Sequence, residues 1–364
     1  MKKIKILSID SGGIKGLIPA ILLNYIEELL QQKTNNPDAT LSDFFDMIAG
    51  TSTGGILACF YLIPSNNENG PKAKHFAKEA VNLYAERGKD IFKPKIETSL
   101  NKITNFFSKD KEKEKGIFKN KLTSSLNSAN NLIAEEYSEV EFEKILKEEM
   151  GYAKLSETLK HCFVVSYNIS TCKPVMFSTP EAKKYIHRDY YLKDISRATS
   201  AAPTYFKLAA ISSLAGATQY LIDGGIFASN PALCAIVEAN KYFFKDKNNF
   251  VDDMFVLSVG TGNEKEEYDY KKAQNWGVAQ WAIPVMNIMM SASVEIVDYQ
   301  VKQLFASANS SENYFRMEPD LCNATFELDN TSDENIKNLK DAALNYIAQN
   351  AEKIDEIVEK ILVL

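Results

Sequence analysis

Short apolar segments alternate with longer segments of helical periodicity along most of this chain. Six apolar segments predict β-strands, at residues 3–9, 45–49, 161–167, 174–177, 219–222 and 254–259. Apolar residues at three- and four-residue spacing predict helices between them, and the first of these covers residues 14–30. Strands that alternate with helices indicate an α/β domain with a largely parallel central sheet.

Glycine-rich runs occupy two of the predicted strand-to-helix connections. The first strand leads into Asp10-Ser11-Gly12-Gly13-Ile14-Lys15-Gly16, and the second leads into Gly50-Thr51-Ser52-Thr53-Gly54-Gly55. The second run contains a G-x-S-x-G pattern, which on a sharp turn exposes the serine above a helix N-terminus. Adjacent glycine amides in the first run suit an oxyanion hole or a phosphate cradle. Either run alone would also suit a tight turn without a catalytic role.

A third pattern places an acidic residue at the end of a predicted strand. Asp223 follows the strand 219–222 and precedes Gly224 and Gly225, so its carboxylate would be open to its surroundings. An Asp-Gly pair is otherwise an ordinary turn signal. Because open α/β sheets form their sites at the carboxyl ends of the strands, we expect all three patterns to meet at one edge of the sheet.

Together, the three patterns resemble the patatin-like phospholipase family of lipid acyl hydrolases. That family combines D-G-G-G-x-[KR]-G, G-x-S-x-G and D-G-[GA] in this order, and this chain has similar runs at 10–16, 50–54 and 223–225. Residues 197–206 resemble the family's segment before the aspartate, and 258–262 with Trp276-Gly277 resemble its plant-patatin branch. The resemblance covers nearly the whole chain and implies a three-layer α/β/α fold.

The resemblance also implies the roles of the site residues. Ser52 would be the nucleophile of a catalytic dyad with Asp223 as its base, and the amides of Gly12 and Gly13 would hold the oxyanion. The expected activity is that of a phospholipase A or lysophospholipase, which cleaves fatty acyl esters of membrane phospholipids without a cofactor or metal ion.

Three alternatives stay open. Acyl transfer to another acceptor would use the same acyl-enzyme, and a catalytically weakened lipid-binding protein would keep the same residues. Nucleotide binding is a more distant alternative, because the chain has neither a G-x-x-x-x-G-K-[ST] run nor a complete dinucleotide pattern.

Two positions of the first glycine-rich run raise separate questions. Ser11 stands where the family has its first glycine, and a positive φ there would cost on the order of 1 kcal/mol. Its hydroxyl could donate to the oxyanion or compete for it. Lys15 is interpreted as a contact for a lipid phosphate, or else as a solvated lysine at the start of a helix.

Histidine is scarce in this chain, and none lies in the three patterns. His75 is expected on the surface of a helix over 73–84, His161 at the start of a strand, and His187 in a charged loop over 181–189. We therefore expect Asp223 to be the essential base. Residues distant in sequence could still complete a Ser-His-Asp triad.

Charge is distributed unevenly over the 364 residues, whose net charge is −6. Residues 93–121 hold nine lysines and four acidic residues, with Phe106, Phe107 and Phe118 among them. We interpret the insertion at about 93–136 as a cap that contacts anionic lipid, with a solvated insertion as the alternative.

Two further segments carry periodic or unusual apolar composition. The C-terminal segment 326–364 is predicted to be an amphipathic helix, starting near 333, that packs on a catalytic domain over 1–325. The methionine-rich segment 284–297 is expected to fill the core rather than to form an acyl-chain groove.

The remaining features concern location and partners. Five cysteines are scattered without metal-ligand spacing, which favours reduced, buried thiols in a cytoplasmic protein. No apolar run approaches the ~20 residues that span a bilayer, so we expect only peripheral membrane contact. The N-terminus leads directly into the first strand rather than resembling a signal peptide, while export by another route stays open. No nucleic-acid partner is expected, and the oligomeric state is not indicated.

Overall fold

A computed structural model describes residues 3–67, 70–93, 137–245, 250–263 and 268–364. Nearly all of the lysine-rich insertion lies outside these residues, so its interpretation as a cap stays a prediction. None of the described helices combines the length and the apolar character that crossing a bilayer requires.

Within the described residues, one sheet of eight strands lies between helices. Its strands are β1 (Ile4–Ile9), β2 (Met47–Thr51), β5 (His161–Asn168), β6 (Lys173–Ser178), β7 (Ala209–Ser212), β8 (Thr218–Asp223), β9 (Met254–Val259) and β10 (Tyr314–Met317). The order is β10-β9-β1-β2-β5-β8-β7, and β6 also pairs with β5. A separate hairpin consists of β3 (Pro64–Asn67) and β4 (Gly70–Ala73).

The helices follow the strands in an α/β order. They are α1 (Leu17–Thr34), α2 (Leu41–Phe44), α3 (Thr53–Tyr61), α4 (Ala77–Ile91), α5 (Glu139–Met150), α6 (Thr179–Lys184), α7 (Leu192–Thr199), α8 (Gly225–Ala228), α9 (Ala232–Ala239), α10 (Tyr270–Ala273), α11 (Val278–Ser307), α12 (Asp333–Gln349) and α13 (Ala351–Val363). A 3-10 turn at Gly13–Gly16 precedes α1.

Two hydrophobic cores cover the two faces of the sheet. Successive side chains of a strand point to opposite faces, and in β1 Leu7 belongs to one core whereas Ile6 belongs to the other. The larger core is completed by α1, α3, α4, α12 and α13, and the smaller one by α9 and α11. This arrangement confirms the three-layer α/β/α fold.

The sheet is largely parallel, as predicted, but its β8 side is not. β10, β9, β1, β2 and β5 run parallel, whereas β8 is antiparallel to β5. Thr51 pairs with Val165, and the next residue of β5, Ser166, pairs with Asp223. Asp223 therefore ends β8 at the level of Ser52. β8 begins beyond the carboxyl edge of the parallel strands and runs back towards that edge. The two glycine-rich runs and Asp223 therefore still share one edge of the sheet.

The boundaries predicted for the second strand and for the helix over 73–84 are wrong. The second strand begins at Met47 rather than at residue 45, because residues 41–44 form α2. The helix predicted over 73–84 begins at Ala77 and continues to Ile91.

The C-terminal amphipathic segment is two helices rather than one, with a break at Asn350, whose side chain donates to the Tyr346 carbonyl. Both helices bury apolar residues in the larger core, for example Leu339 and Ile357. The domain boundary near residue 325 stays a prediction.

The methionine-rich segment 284–297 does not fill the core as predicted. It lies within the first two thirds of α11, and none of its described side chains is fully buried. The helix buries Val301 and Phe305 further along, in the smaller core.

Glycine is required where α3 crosses the ends of β1 and β2. A Cβ on Gly54 would lie 2.1 Å from the Ile9 carbonyl oxygen, and one on Gly50 would lie 2.0 Å from the Gly54 carbonyl oxygen. Such distances are far inside van der Waals contact, so the backbones touch directly at this crossing.

We expect Gly54→Ala to destabilise the protein by about 2 kcal/mol, because the Cβ would force the two backbones apart. Gly277→Ala is the matched control, since a Cβ there would meet only the Gln280 side chain, at 3.3 Å. Urea unfolding measures both variants. Equal unfolding midpoints for the two would contradict the close crossing.

Candidate active site

Ser52 lies on the turn between β2 and α3 in a strained conformation. Its φ of 54° and ψ of −122° are rare for a residue with a side chain and cost about 1–3 kcal/mol. The Ser52 amide donates to the Thr199 hydroxyl at 2.9 Å, and that hydroxyl donates to the Val165 carbonyl at 2.6 Å. These bonds tie the turn to β5 and α7 and hold the serine side chain away from β2.

Asp223 accepts a hydrogen bond from Ser52. The Ser52 Oγ lies 2.6 Å from Asp223 Oδ2, and the Gly225 amide donates to Asp223 Oδ1 at 2.7 Å. Asp223 is only 2% exposed. Burial raises the pKa of its carboxyl to about 7, and the two hydrogen bonds only partly oppose that rise. Each carboxylate oxygen thus accepts from a neutral donor.

The loop after β1 lies close to a side chain at Gly12 and to another stretch of main chain at Gly13. A Cβ on Gly12 would lie 2.4 Å from Thr261 Oγ1, and one on Gly13 would lie 2.1 Å from the Leu328 carbonyl oxygen. Gly13 also has a φ of 59°. Neither glycine amide donates to another residue in the described part of the chain. Two adjacent amides are therefore available to an acceptor.

Ser11 replaces the family's glycine without backbone strain. It is not among the described residues with positive φ, so the cost anticipated from the sequence does not arise. Its amide donates to the Ser229 carbonyl at 2.9 Å, and its carbonyl accepts from the Thr261 hydroxyl at 2.7 Å. The amide and the carbonyl of Ser11 therefore hold this residue in the loop through hydrogen bonds to Ser229 and Thr261.

A narrow apolar cavity adjoins the Ser52–Asp223 pair. Aromatic and aliphatic side chains from several helices and loops enclose it, among them Ile56, Phe92, Phe142, Phe206, Met290 and Leu328. Such a lining excludes water and matches a hydrocarbon chain.

A second cavity of about 590 Å³, called the polar cavity for charged lining residues such as Asp10, Lys15 and Arg316, has Gly12 in its lining, whereas Gly13 lines the apolar cavity. Met290 and Leu328 line both cavities. Arg316 lines this cavity with its side chain 7% exposed, and it donates to Asp10 Oδ2 at 2.5 Å and to the Ser258 hydroxyl at 2.7 Å. Burial raises the pKa of Asp10 to about 7, while Arg316 opposes the rise.

Lys15 lines this polar cavity and is only 3% exposed. Its Nζ lies 4.1 Å from the centroid of the Phe326 ring, a cation–π contact. The alternative of a solvated lysine at a helix start is therefore wrong. Contact with a lipid phosphate stays a prediction.

The histidines lie away from Ser52. His75 is buried and stacks on Phe60 with ring centroids 4.0 Å apart, so the expected surface position is wrong. His161 opens β5 as predicted, with Nε2 3.1 Å from the Ser178 hydroxyl, and His187 is exposed in a 3-10 turn. No histidine is among the described residues that line either cavity.

Sequence reasoning missed four residues that shape this region. Thr199 lies inside the recognised segment 197–206, but its contact with Ser52 depends on the tertiary structure. Tyr84 donates to the Thr53 carbonyl at 3.2 Å from a helix with no motif. An arginine beside apolar residues was the only signal for Arg316. Met290 lies in the methionine-rich segment 284–297, for which an acyl-chain groove was the less favoured interpretation.

The described residues include no cluster of three or more histidine, cysteine, aspartate or glutamate side chains that could hold a metal ion. All five cysteines are unpaired thiols. Cys59 and Cys162 are buried as expected, whereas Cys172 and Cys322 are exposed.

Comparison with known proteins agrees with this architecture. A family model described as patatin-like phospholipase matches residues 7–236. Patatin-like protein 2 of Arabidopsis thaliana is 34% identical over 87% of this chain and 76% of its own length. Patatin-like protein 2 of Oryza sativa subsp. japonica is 31% identical over 98% of this chain and 86% of its own length.

Two further matches are a protein of Solanum tuberosum and a solved bacterial structure. A Solanum tuberosum protein named probable inactive patatin-3-Kuras 1 is 31% identical over 88% of this chain and 80% of its own length. A crystal structure of VipD from Legionella pneumophila matches with a TM-score of 0.36 and 12% identity, over 96% of this chain and 67% of that one. The length of the family match and of the plant alignments shows that this chain belongs to the patatin-like phospholipase family.

Proposed function

We propose that this protein hydrolyses fatty acyl esters of membrane phospholipids through an acyl-enzyme on Ser52. Family membership gives the general class, a lipid acyl hydrolase. The observation that carries the finer proposal is the hydrogen bond of 2.6 Å from Ser52 Oγ to Asp223 Oδ2 beside an apolar cavity. The proposed enzyme is a phospholipase A or lysophospholipase.

In the first half of the reaction, Ser52 Oγ attacks the ester carbonyl while Asp223 Oδ2 takes its proton. The carbonyl electrons move to the oxygen, and the free amides of Gly12 and Gly13 stabilise that oxyanion. Stabilisation of this kind is worth roughly 3–4 kcal/mol per donor. Collapse of the tetrahedral intermediate breaks the ester C–O bond, and the leaving alkoxide takes the proton from Asp223.

In the second half, water attacks the acyl-enzyme. Asp223 takes a proton from the water and returns it to Ser52 as the fatty acid leaves. The raised pKa of Asp223 makes it a stronger base than an ordinary aspartate, whose pKa is about 3.9. An alcohol in place of the water would give acyl transfer from the same intermediate.

We expect Ser52→Ala and Asp223→Asn each to lower kcat by at least about 1,000-fold, because each removes a partner of the proposed proton transfer. Fatty acid release from phospholipid vesicles, followed by mass spectrometry with chelator present, measures the loss. Circular dichroism checks that both variants fold. Release by folded Ser52→Ala at the wild-type rate would reject Ser52 as the nucleophile.

The pH profile tests Asp223 as the base. Only the ionised carboxylate can accept the serine proton, so kcat/KM should fall about tenfold per pH unit below about 7 and level off above it. An aspartate of ordinary pKa would leave the profile flat above about pH 5. A soluble ester is the substrate. Asp10→Asn should retain the midpoint, and a midpoint that moves with Asp10 would assign the titration to that residue instead.

Replacement of the three histidines tests whether the base is an imidazole. We expect His75→Gln, His161→Gln and His187→Gln, made singly and together, to keep hydrolysis of a soluble ester within about tenfold of wild type, allowing for packing changes. Loss of activity in a single variant that stays folded would identify a histidine in the mechanism and remove the dyad.

A further inference from the structure

An apolar stripe runs along the solvent-facing side of α11. It consists of Trp281, Val285, Ile288, Met289, Ile296 and Tyr299, which are 36–61% exposed. At 100° per residue these positions fall within about 100° of the helix circumference, and they extend over about 27 Å. An exposed apolar surface of this length on a folded protein marks an interaction site.

The fold does not require the apolar stripe. The opposite side of α11 packs on the protein, where Val301 and Phe305 are fully buried in the smaller core. Exposed or partly exposed charged residues, Glu295, Asp298 and Lys302, are at helix angles outside the stripe. The helix therefore has one apolar side that stabilises the fold and another that faces solvent.

The same helix borders the candidate active site. Met290, on the side of α11 away from the stripe, lines the apolar cavity together with Ser52 and Asp223. A Cβ on Gly225, two residues after Asp223, would lie 3.3 Å from Met290 Cε. A surface that contacts the stripe is therefore separated from Ser52 by the width of α11.

We propose that the apolar stripe is the surface by which this protein docks on a lipid bilayer. The inference rests on the proposed function, because a phospholipid must leave a bilayer to reach Ser52. A partner protein or a second copy bound along α11 would cover this helix without supplying a substrate. A bilayer in the same place would supply phospholipid next to the cavity. The stripe has an aromatic residue at each end, Trp281 and Tyr299, and such rings favour the membrane–water interface.

The tryptophans provide a direct probe of this surface. The chain has two, and both lie at one end of the stripe, with the rings of Trp276 and Trp281 packed edge to face at 5.0 Å. Bilayer docking should shift their fluorescence emission to shorter wavelength. The binding measurement uses Ser52→Ala, so that no product accumulates, and vesicles of phosphatidylcholine with a minor fraction of phosphatidylglycerol.

The test variant is Val285→Gln/Ile288→Gln/Ile296→Gln, which makes the stripe polar while keeping helix-compatible side chains. Its control is Val237→Gln/Ile186→Gln/Ile169→Gln, which changes the same residue types at sites that are 41–65% exposed on other elements. We expect the test variant to bind vesicles at least about tenfold more weakly, because interfacial binding increases with buried apolar area. The control should bind as Ser52→Ala alone does.

Activity separates failure of the docking surface from failure of the proposed function. With Ser52 restored, the test variant should lose vesicle hydrolysis by a similar factor and retain p-nitrophenyl butyrate hydrolysis. Vesicle binding by the test variant that equals that of Ser52→Ala alone would overturn the docking surface. Hydrolysis of the soluble ester by a wild-type protein that does not bind vesicles would overturn it as well. A stripe-dependent dimer in sedimentation, with vesicle binding unaffected, would assign the stripe to a second copy. Vesicle binding without any ester hydrolysis would overturn the proposed function alone.

Discussion

The direct contact between two backbones, where α3 passes the carboxyl ends of β1 and β2, is the constraint on which the rest of this structure depends. Gly50 and Gly54 lie so close to neighbouring carbonyl groups that neither position has room for a Cβ. Ile9 pairs with Gly50 across parallel strands, so the loop after β1 must pass beside the turn after β2. The loop and the turn that carries Ser52 are consequently held side by side by main-chain packing, and Gly13 and Ser52 both line the apolar cavity.

That packing also explains how Ser52 can keep a strained backbone. The turn is closed on one side by α3 and fixed on the other by the bond from the Ser52 amide to Thr199, whose hydroxyl is itself bound to β5. A cost of about 1–3 kcal/mol at a single residue is sustained because the surrounding contacts determine the conformation. The reversed direction of β8 then places Asp223 beside the serine. An antiparallel strand that runs back to the edge serves the site as well as a parallel strand would.

The parts of this molecule that sequence predicted well are those set by local pattern. Apolar runs located most strands of the sheet, and the glycine-rich runs located Ser52 and the loop of Gly12 and Gly13, because tight turns impose local requirements on residue type. The direction of β8 could not be predicted, since pairing with β5 depends on residues far apart in the chain. Burial was equally inaccessible for Lys15 and His75, both polar residues that a single sequence places on the surface by default. The solvent-facing apolar side of α11 was expected in the core, because composition does not reveal which side of a helix is covered.

Two buried aspartates show why surroundings, more than burial, distinguish a structural carboxylate from one suited to catalysis. Asp10 and Asp223 are each at most 2% exposed, and burial raises the pKa of both to about 7. Asp10 lies against the guanidinium of Arg316, which stabilises the carboxylate and holds it in an ion pair. Among the described residues, the Asp223 carboxylate accepts from the Ser52 hydroxyl and the Gly225 amide, both neutral. The two carboxyls therefore have a similar proton affinity, and what distinguishes them is the group that each one contacts. Asp10 Oδ2 accepts from a guanidinium, whereas Asp223 Oδ2 accepts from the hydroxyl whose proton the proposed reaction removes.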